Sequence, residues 1–375
     1  MTARYGCGTQ QNQESCLERD LLHRLEQQPT IHTKISRLKP ILCRTAVDLH
    51  AFGAIMTHTG GLEIGKEHVP QGACLLPDRG SRVLWMSGDD SEDFLQRMTT
   101  NDMRLPVGGH RPTALLTGTG RIQAVFNVIR DGEGYWLIAP PHGSEALRTV
   151  LQSNIFFMDQ VTVEDVSDQW DFLYLVGHGA SNVVELLGFA AAEPAVVARS
   201  GDRMCLYENL LELPGFGLLI PAAETDGVRR AVQQGHGALW SDWDEYDHLR
   251  IRSVRGGYGY EYTEAFNPLE VGLDAICSDN KGCYPGQEVI ARQVNYDRVA
   301  RALVLLESDQ PLSPGDPVKL EGRPLGEVTS VSSVSADHTW PSLAVVRSRQ
   351  LAPGQMVMAG DRPAVVAAMR QASLV

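Results

Sequence analysis

The hydrophobic pattern of this chain repeats one arrangement of strands and helices, and this repeat limits the possible fold more than any other feature. The first set covers residues 83–166 and the second covers residues 172–234, and each combines amphipathic helices with short apolar strands. After residue 301, short apolar runs alternate with Pro and Gly turns. The pattern therefore predicts an α+β protein in which two α+β units face each other around a central cavity, followed by a small antiparallel β-barrel.

A predicted hairpin is the clearest single element of the first set. Its strands are the runs 113–117 and 122–129, which are joined through Gly118–Gly120. Side chains alternate between the two faces of a strand, so every second apolar residue of the second run should face the core. These residues are Ile122, Ala124, Phe126 and Val128.

The chain divides by character into three sections. They are an N-terminal extension over residues 1–55, a main region over 56–296 that holds the two α+β units, and the barrel over 297–375. In the extension, Ser15–Glu18 has the pattern of a capping box and precedes a stripe of leucines, which predicts one short helix in a partly disordered segment. The alternative is that the extension is upstream sequence and that Met56 is the true initiator; the sequence leaves both open.

The charge of the chain argues against several classes of protein. It carries 33 basic and 46 acidic residues, a net charge of −13. Such a surface repels phosphate backbones, and no basic stripe is present, so direct nucleic-acid binding is not expected. No apolar run reaches the roughly 18 residues of a membrane helix, and no signal-peptide core is found near the N-terminus. The sequence predicts a cytoplasmic protein with no membrane partner.

The cysteines do not form a disulfide or metal-binding pattern. There are seven of them, widely spread and without a Cys-x-x-Cys pair. Neither a disulfide scaffold nor a metal site is therefore predicted. Cys277 lies close before Cys283, which leaves a regulatory disulfide or a shared metal as a minor alternative.

The densest group of chemically useful residues lies in the segment 281–292. Lys281 and Cys283 stand near the start of a predicted helical turn, a setting that favours the thiolate form of cysteine. Pro285 and Gly286 fit the two central positions of a type II turn, because proline fixes φ at the first and glycine supplies a positive φ at the second. The following helical turn has an acid near its start and a base near its end, as the helix dipole prefers.

Written as Lys-Gly-Cys-Tyr-x-Gly-Gln-Glu-x-x-x-Arg, this segment resembles the signature of the YgfZ family. Members of that family are folate-binding relatives of the glycine-cleavage T-protein and are implicated in maintaining iron–sulfur proteins. The resemblance extends over roughly residues 75 to 370 and includes the segments 99–102, 249–251, 258–261, 268–273, 301–306 and 326–330. It implies a GcvT-like fold that holds folate in the central cavity.

The resemblance also implies roles for single residues. Cys283 and Lys281 would form the catalytic site, and the rest of the signature comprises Gly282, Tyr284, Gly286, Gln287, Glu288 and Arg292. The residues expected to bind the cofactor, tetrahydrofolate, are Arg250, Glu261, Glu270 and Asp102. Taken without the resemblance, Arg250 could equally lie on the surface and pair with Asp247.

Two departures from the family pattern bear on activity. The T-protein pattern places paired aspartates in the second hairpin strand, where this chain has Ala124 and Val125. General acid/base catalysis needs a titratable group close to the transferred proton, so aminomethyl transfer is disfavoured. In addition, Arg252 stands where the family usually has a glutamate, which puts the conservation of the folate pocket in question.

Three functional hypotheses follow from these features. The first is a folate-binding accessory protein that supports iron–sulfur cluster assembly or repair, with iron–sulfur client or assembly proteins as partners and an effect on tRNA modification through client enzymes. The second is a folate-dependent aminomethyltransferase, or another one-carbon transferase or demethylase. The third is a folate-binding module without chemistry. The signature around Cys283 favours the first, and the missing aspartates weigh against the second.

Overall fold

The computed structural model describes residues 72–76, 80–139, 144–190, 192–210, 213–234, 238–239, 243–335, 338–370 and 372. The predicted extension over residues 1–55, its short helix and Met56 lie outside these residues.

The described part of the chain contains six α-helices and seventeen β-strands. The helices are α1 (Ser91–Met98), α2 (Ser144–Ser153), α3 (Ala180–Leu186), α4 (Thr225–Gln234), α5 (Asp244–Arg252) and α6 (Gln287–Asn295). The first strands are β1 (Cys74–Leu75), β2 (Arg82–Ser87), β3 (His110–Leu116), β4 (Ile122–Asp131), β5 (Gly134–Ala139), β6 (Thr162–Asp165), β7 (Trp170–Val176), β8 (Ala198–Ser200), β9 (Arg203–Leu210), β10 (Leu213–Pro221) and β11 (Ala238–Leu239). The remaining strands are β12 (Arg301–Ser308), β13 (Pro317–Leu320), β14 (Arg323–Val331), β15 (Trp340–Arg347), β16 (Met356–Ala359) and β17 (Arg362–Arg370).

The first α+β unit is a five-stranded sheet in the order β3-β4-β5-β2-β6, with α1 and α2 on one face. The predicted hairpin is confirmed as β3 and β4, with Thr113 opposite Phe126. Ala124, Phe126 and Val128 face the helices and are buried there, and Ile122 is buried in a neighbouring cluster. The predicted alternation is therefore confirmed for Ala124, Phe126 and Val128, whereas Ile122 packs with Val125 and the second face of β4 is buried as well.

The second α+β unit is a six-stranded sheet in the order β11-β1-β7-β10-β9-β8. Helices α3 and α4 cover one face, where Val183, Val184, Val228 and Val232 pack against strand residues. Strand β1 belongs to this sheet although it precedes the whole first unit in the chain, and it pairs with β7 and β11.

The two sheets pack against each other through the faces that the helices leave open. The first sheet contributes Val83, Ile129, Trp136 and Ile138, and the second contributes Phe172, Met204, Leu206 and Leu219. The predicted arrangement of two facing α+β units is therefore confirmed.

The C-terminal strands form a closed antiparallel barrel in the order β12-β15-β14-β13-β16-β17, as predicted. The barrel has its own interior core, which includes Val304, Val318, Val346 and Val366. Alternate residues of β12 and β15 point outward and pack against the hairpin and α6. This packing places the barrel beside the first unit.

None of the helices in the described part of the chain combines the length and apolarity needed to span a bilayer.

Candidate functional site

The signature segment contains the turn that the sequence predicted at Pro285 and Gly286. The Gln287 N–H donates to the Tyr284 carbonyl at 3.2 Å, and Gly286 has φ +80°, as the third position of a type II turn requires. A side chain at Gly286 would bring its Cβ within 2.6 Å of the Thr117 carbonyl oxygen and 2.8 Å of the Gly120 Cα. Glycine at this position therefore lets α6 begin directly against the β3–β4 turn.

Helix α6 presents the charged end of the signature to solvent. Arg292 donates to Glu288 at 2.7 Å across one turn of the helix, and both side chains are well exposed. Exposed pairs of this kind contribute about 0.3–0.5 kcal/mol, so these two residues are not a major source of stability.

Lys281 connects the signature to a distant segment. Its ammonium donates to the Thr99 and Asn101 carbonyls, both at 2.6 Å, in the connection between α1 and β3. A second contact lies beside it, because the Ser278 N–H donates to the Thr100 carbonyl at 2.9 Å. Burial lowers the pKa of Lys281 to about 8; Asp102 acts against this shift and Arg104 adds to it. Lys281 is thus held by backbone carbonyls, and its predicted effect on the Cys283 thiolate stays a prediction.

Cys283 is exposed, whereas the next residue, Tyr284, is buried among apolar side chains. The thiol is therefore accessible to a large partner. Cys277 is partly buried, its thiol lies 3.6 Å from the Leu273 carbonyl, and burial with help from Asp274 raises its pKa to about 12. Both cysteines are free thiols, and among the residues that the structure describes no group of side chains is arranged to bind a metal.

Arg250 lies inside the protein, at 4% exposure, and not on the surface. It pairs with Asp247 at 2.6 Å and with Glu261 at 3.5 Å. Glu261 is fully buried and also accepts from the Gly257 N–H and the Ser330 hydroxyl, both at 2.7 Å. The pair joins α5, the segment after it and barrel strand β14.

Glu270 and Asp102, which the resemblance also assigned to the cofactor, have partners within the protein. The Glu270 carboxylate accepts from Arg301 at 2.8 and 2.9 Å and from Arg121 at 3.3 Å. Glu270 and Asn267 form a capping box at the start of a 3-10 turn. Asp102 is partly exposed and accepts from the Arg104 N–H at 3.2 Å. The assignment of these residues to folate remains a prediction.

The sequence did not reveal a cluster of ionisable side chains where the two units and the segment after α5 meet. Its centre is Glu208 on β9, and it will be called the Glu208 cluster. The other members are Tyr174 of β7, Tyr246 of α5, and Arg255, Tyr258 and Tyr262 of the following segment. Isolated tyrosines in separate segments give no sequence signal, because only the tertiary fold brings them together.

The side chains of the Glu208 cluster are surrounded by protein and yet keep part of their surface accessible. Burial raises the pKa of Glu208 to about 7, while Arg255 and a hydrogen bond from Asn127 act in the opposite direction. Burial likewise raises the pKa of Tyr246 to about 12. A carboxyl whose pKa is strongly perturbed and whose surface is still partly accessible is a candidate for ligand binding.

Two arginines add positive charge to one side of the cluster. Burial lowers the pKa of Arg370, at the end of β17, and the nearby Arg255 lowers it further. Two neighbouring guanidinium groups provide a setting in which a ligand carboxylate is stabilised.

The positions of the missing aspartates are apolar and enclosed. Ala124 packs among the residues beneath α1 and α2, and Val125 packs near Tyr284 on the other side of β4. Farther along that second face, Asn127 points to Glu208. The nearest polar side chain on this face beyond Val125 is thus an amide, two residues later in the strand.

Comparison with known proteins agrees with this architecture. Residues 67–194 match the protein family described as the GCVT N-terminal domain. The fold is similar to that of the crystal structure of glycine cleavage system aminomethyltransferase T from Bartonella henselae, with a TM-score of 0.71, 18% identity, and coverage of 82% of this chain and 88% of that one. The protein therefore has a GcvT-like fold, and residues 67–194 are similar to the GCVT N-terminal domain.

Curated relatives have similar names. A chloroplastic protein of Arabidopsis thaliana, named "Putative transferase", is 27% identical over 284 residues, which are 74% of this chain and 66% of the relative. An aminomethyltransferase of Chlorobium phaeobacteroides is 28% identical over 54% of this chain and 60% of its own length. One from Listeria monocytogenes is 25% identical over 80% of this chain and 86% of its own. The chain thus spans slightly less than two thirds of the first two relatives.

Proposed function

We propose that this protein is a folate-binding accessory protein that supports iron–sulfur cluster assembly or repair. In this proposal the Glu208 cluster holds tetrahydrofolate, and Cys283 is the thiol that acts on a client or assembly protein. An effect on tRNA modification would follow through client enzymes. The observation that carries the proposal is the chemical composition of the Glu208 cluster in a GcvT-like fold.

The residues of the cluster fit the parts of a folate. The pyrimidine ring of a reduced pterin is flat and carries adjacent N–H donors, and a carboxylate such as Glu208 can accept hydrogen bonds from them. Tyr174, Tyr246 and Tyr258 supply aromatic surface for the ring and its aminobenzoyl group. Arg255 and Arg370 supply positive charge for the glutamate carboxylates. Tetrahydrofolate would contribute a carrier for one-carbon units at this site.

The exposure of Cys283 favours a macromolecular partner for the thiol. An iron–sulfur cluster requires about four thiolate ligands, so one cysteine cannot hold it alone. Any contact with a cluster would be shared with the client. The contacts of Lys281 with Thr99 and Asn101 hold the base of the loop that carries this thiol.

The alternative function is folate-dependent aminomethyl or other one-carbon transfer, which the names of the curated relatives favour. It is weakened by strand β4, where Ala124 and Val125 offer no titratable group. Glu208 is a titratable group in the cluster, but it lies on a different strand of the other sheet.

Folate binding is tested by anaerobic calorimetry with tetrahydrofolate. We expect a dissociation constant of about 1–100 µM, equivalent to about −8 to −5.5 kcal/mol. Glu208→Gln should weaken binding at least tenfold, because the amide places a donor against the N–H groups of the pterin. Glu288→Gln, an exposed change on α6, should leave binding unchanged. Absence of binding by the unchanged protein at millimolar ligand would contradict the proposal and the transferase alternative together.

The role of the thiol is tested by complementation. Deleting the gene should lower the activity of iron–sulfur enzymes under oxidative stress, and the intact gene should restore it. Cys283→Ala should fail to restore it, whereas Cys277→Ala, which removes the neighbouring high-pKa thiol, should succeed. Full rescue by Cys283→Ala, together with aminomethyl transfer from a lipoyl-linked substrate to tetrahydrofolate by the purified protein, would instead establish the transferase.

A further inference from the structure

The Glu208 carboxyl accepts a hydrogen bond from an amide side chain of the opposite sheet. Asn127 on β4 donates through Nδ2 to Glu208 Oε1 at 2.6 Å, and this contact links the first α+β unit to the second. The side chains on either side of Asn127, Phe126 and Val128, point to the helices, so Asn127 lies on the face directed at the other sheet. Ile129 on the same face packs between the sheets. The pleat of β4, which has a neighbouring strand on each side, thus sets the direction of the Asn127 side chain.

Groups from several elements face Glu208. They are Asn127 of β4, Tyr174 of β7, Tyr246 of α5, and Arg255 and Tyr258 of the following segment, whereas Cys205 of β9 lies nearby on the helix-covered face of its sheet. Arg255 supplies positive charge, and the tyrosines and Cys205 are neutral near pH 7, because burial raises the pKa of each. In the part of the chain that the structure describes, Asn127 is the one side chain that hydrogen-bonds to the Glu208 carboxyl.

We propose that Asn127 is a positioning residue that fixes one oxygen of Glu208 and so presents the other, in its ionised form, to the N–H donors of a planar heterocyclic ligand. The inference rests on the proposed binding of folate and identifies what sets the strength of that binding. An ionised carboxylate only accepts hydrogen bonds, so a ligand with adjacent N–H donors selects it. A protonated carboxyl would present its own O–H to one of those donors.

This arrangement makes ligand binding depend on pH with a definite sign. Burial raises the pKa of Glu208 to about 7, so the binding-competent form is a minority below this pH and a majority above it. Apparent affinity falls with the fraction of competent protein, and the dissociation constant should be about tenfold weaker at pH 6 than at pH 8. The Asn127 amide stabilises the ionised form, so its loss should move the midpoint to higher pH.

The experiment measures binding of 5-formyltetrahydrofolate from pH 5.5 to 9. In the unchanged protein, the affinity for the ligand should rise with pH, with a midpoint near pH 7. Glu208→Gln should bind weakly, and its affinity should not depend on pH. Asn127→Leu should shift the midpoint upward by about one pH unit and weaken binding severalfold at pH 8. Asn295→Leu, at an exposed position in α6, is the control and should match the unchanged protein. Asn127→Ala should repeat the result if the leucine variant does not fold.

A direct titration separates this inference from the proposed function. The carbon-13 signal of the Glu208 carboxyl, assigned by its loss in Glu208→Gln, should titrate near pH 7 in the unchanged protein and about one unit higher in Asn127→Leu. This readout needs no folate. The same Glu208 midpoint in both proteins would overturn the positioning role even if folate binds, whereas a shifted midpoint without folate binding at any pH would retain the Asn127–Glu208 coupling and reject the ligand.

Discussion

Replacing Arg250 by methionine should lower the free energy of unfolding by about 3–5 kcal/mol, the cost of removing one partner of a buried ion pair. The reason is Glu261, which has no exposed surface and would lose the guanidinium 3.5 Å away, so that its carboxyl group would be left buried without a cationic partner. Methionine retains much of the volume, so the loss reflects charge more than packing. Urea unfolding at pH 7 measures the change.

The matched control for Arg250 is Arg292→Met. It breaks an ion pair with a shorter N–O distance, 2.7 Å, but both partners are exposed, so the change should stay within about 0.5 kcal/mol. Adding Glu261→Gln to Arg250→Met should recover part of the lost stability, because the buried charge is then removed. Loss of folate binding with a stability change below about 1 kcal/mol would instead favour the cofactor-binding role that the resemblance assigned to Arg250.

Local patterns predicted most of the elements. The alternation in β4 correctly placed Ala124, Phe126 and Val128 on one face, because side-chain direction in a strand follows the pleat and needs no knowledge of distant segments. The turn at Pro285–Gly286 was equally readable, because it depends on the backbone preferences of two adjacent residues. Facing sheets and the barrel followed from the repeat and from the spacing of the turns.

Long-range contacts were harder to predict from the sequence. Strand β1 is only two residues long and joins the sheet of the second unit across the entire first unit. The contact of Asn127 with Glu208 spans 81 residues, and neither residue belongs to a recognisable motif. Such contacts depend on how whole sheets pack, so the sequence pattern of a single segment does not predict them.

The signature segment combines a local pattern, which the sequence shows, with long-range contacts, which it does not. Its resemblance to a family drew attention to Lys281 and Cys283 as chemical groups, yet the described contacts of Lys281 include two backbone carbonyls of a segment about 180 residues earlier. Tyr284 and Gly286 are packed against other elements as well. Much of the motif therefore forms a joint between the β3–β4 region and α6, and the exposed Cys283 projects from that joint.

The two glycines of the signature provide the sharpest test of this joint. Gly286→Ala should lower the free energy of unfolding by about 2–4 kcal/mol, since a positive φ costs an alanine about 1–2 kcal/mol and overpacking adds a similar amount. The added Cβ would lie 2.6 Å from the Thr117 carbonyl oxygen, so backbone must move.

Gly282→Ala is the control, because a Cβ at Gly282 has no neighbouring atom within 4 Å and its φ is not positive; its effect should stay within about 0.5 kcal/mol. Hydrogen exchange should show faster opening of α6 and of the β3–β4 turn together in Gly286→Ala, since each is packed on the other. Equal stability of the two variants would contradict the close approach of Gly286 to Gly120. Faster exchange in α6 alone would show that the turn holds its position without the helix, and the signature would then be a surface loop and not a joint.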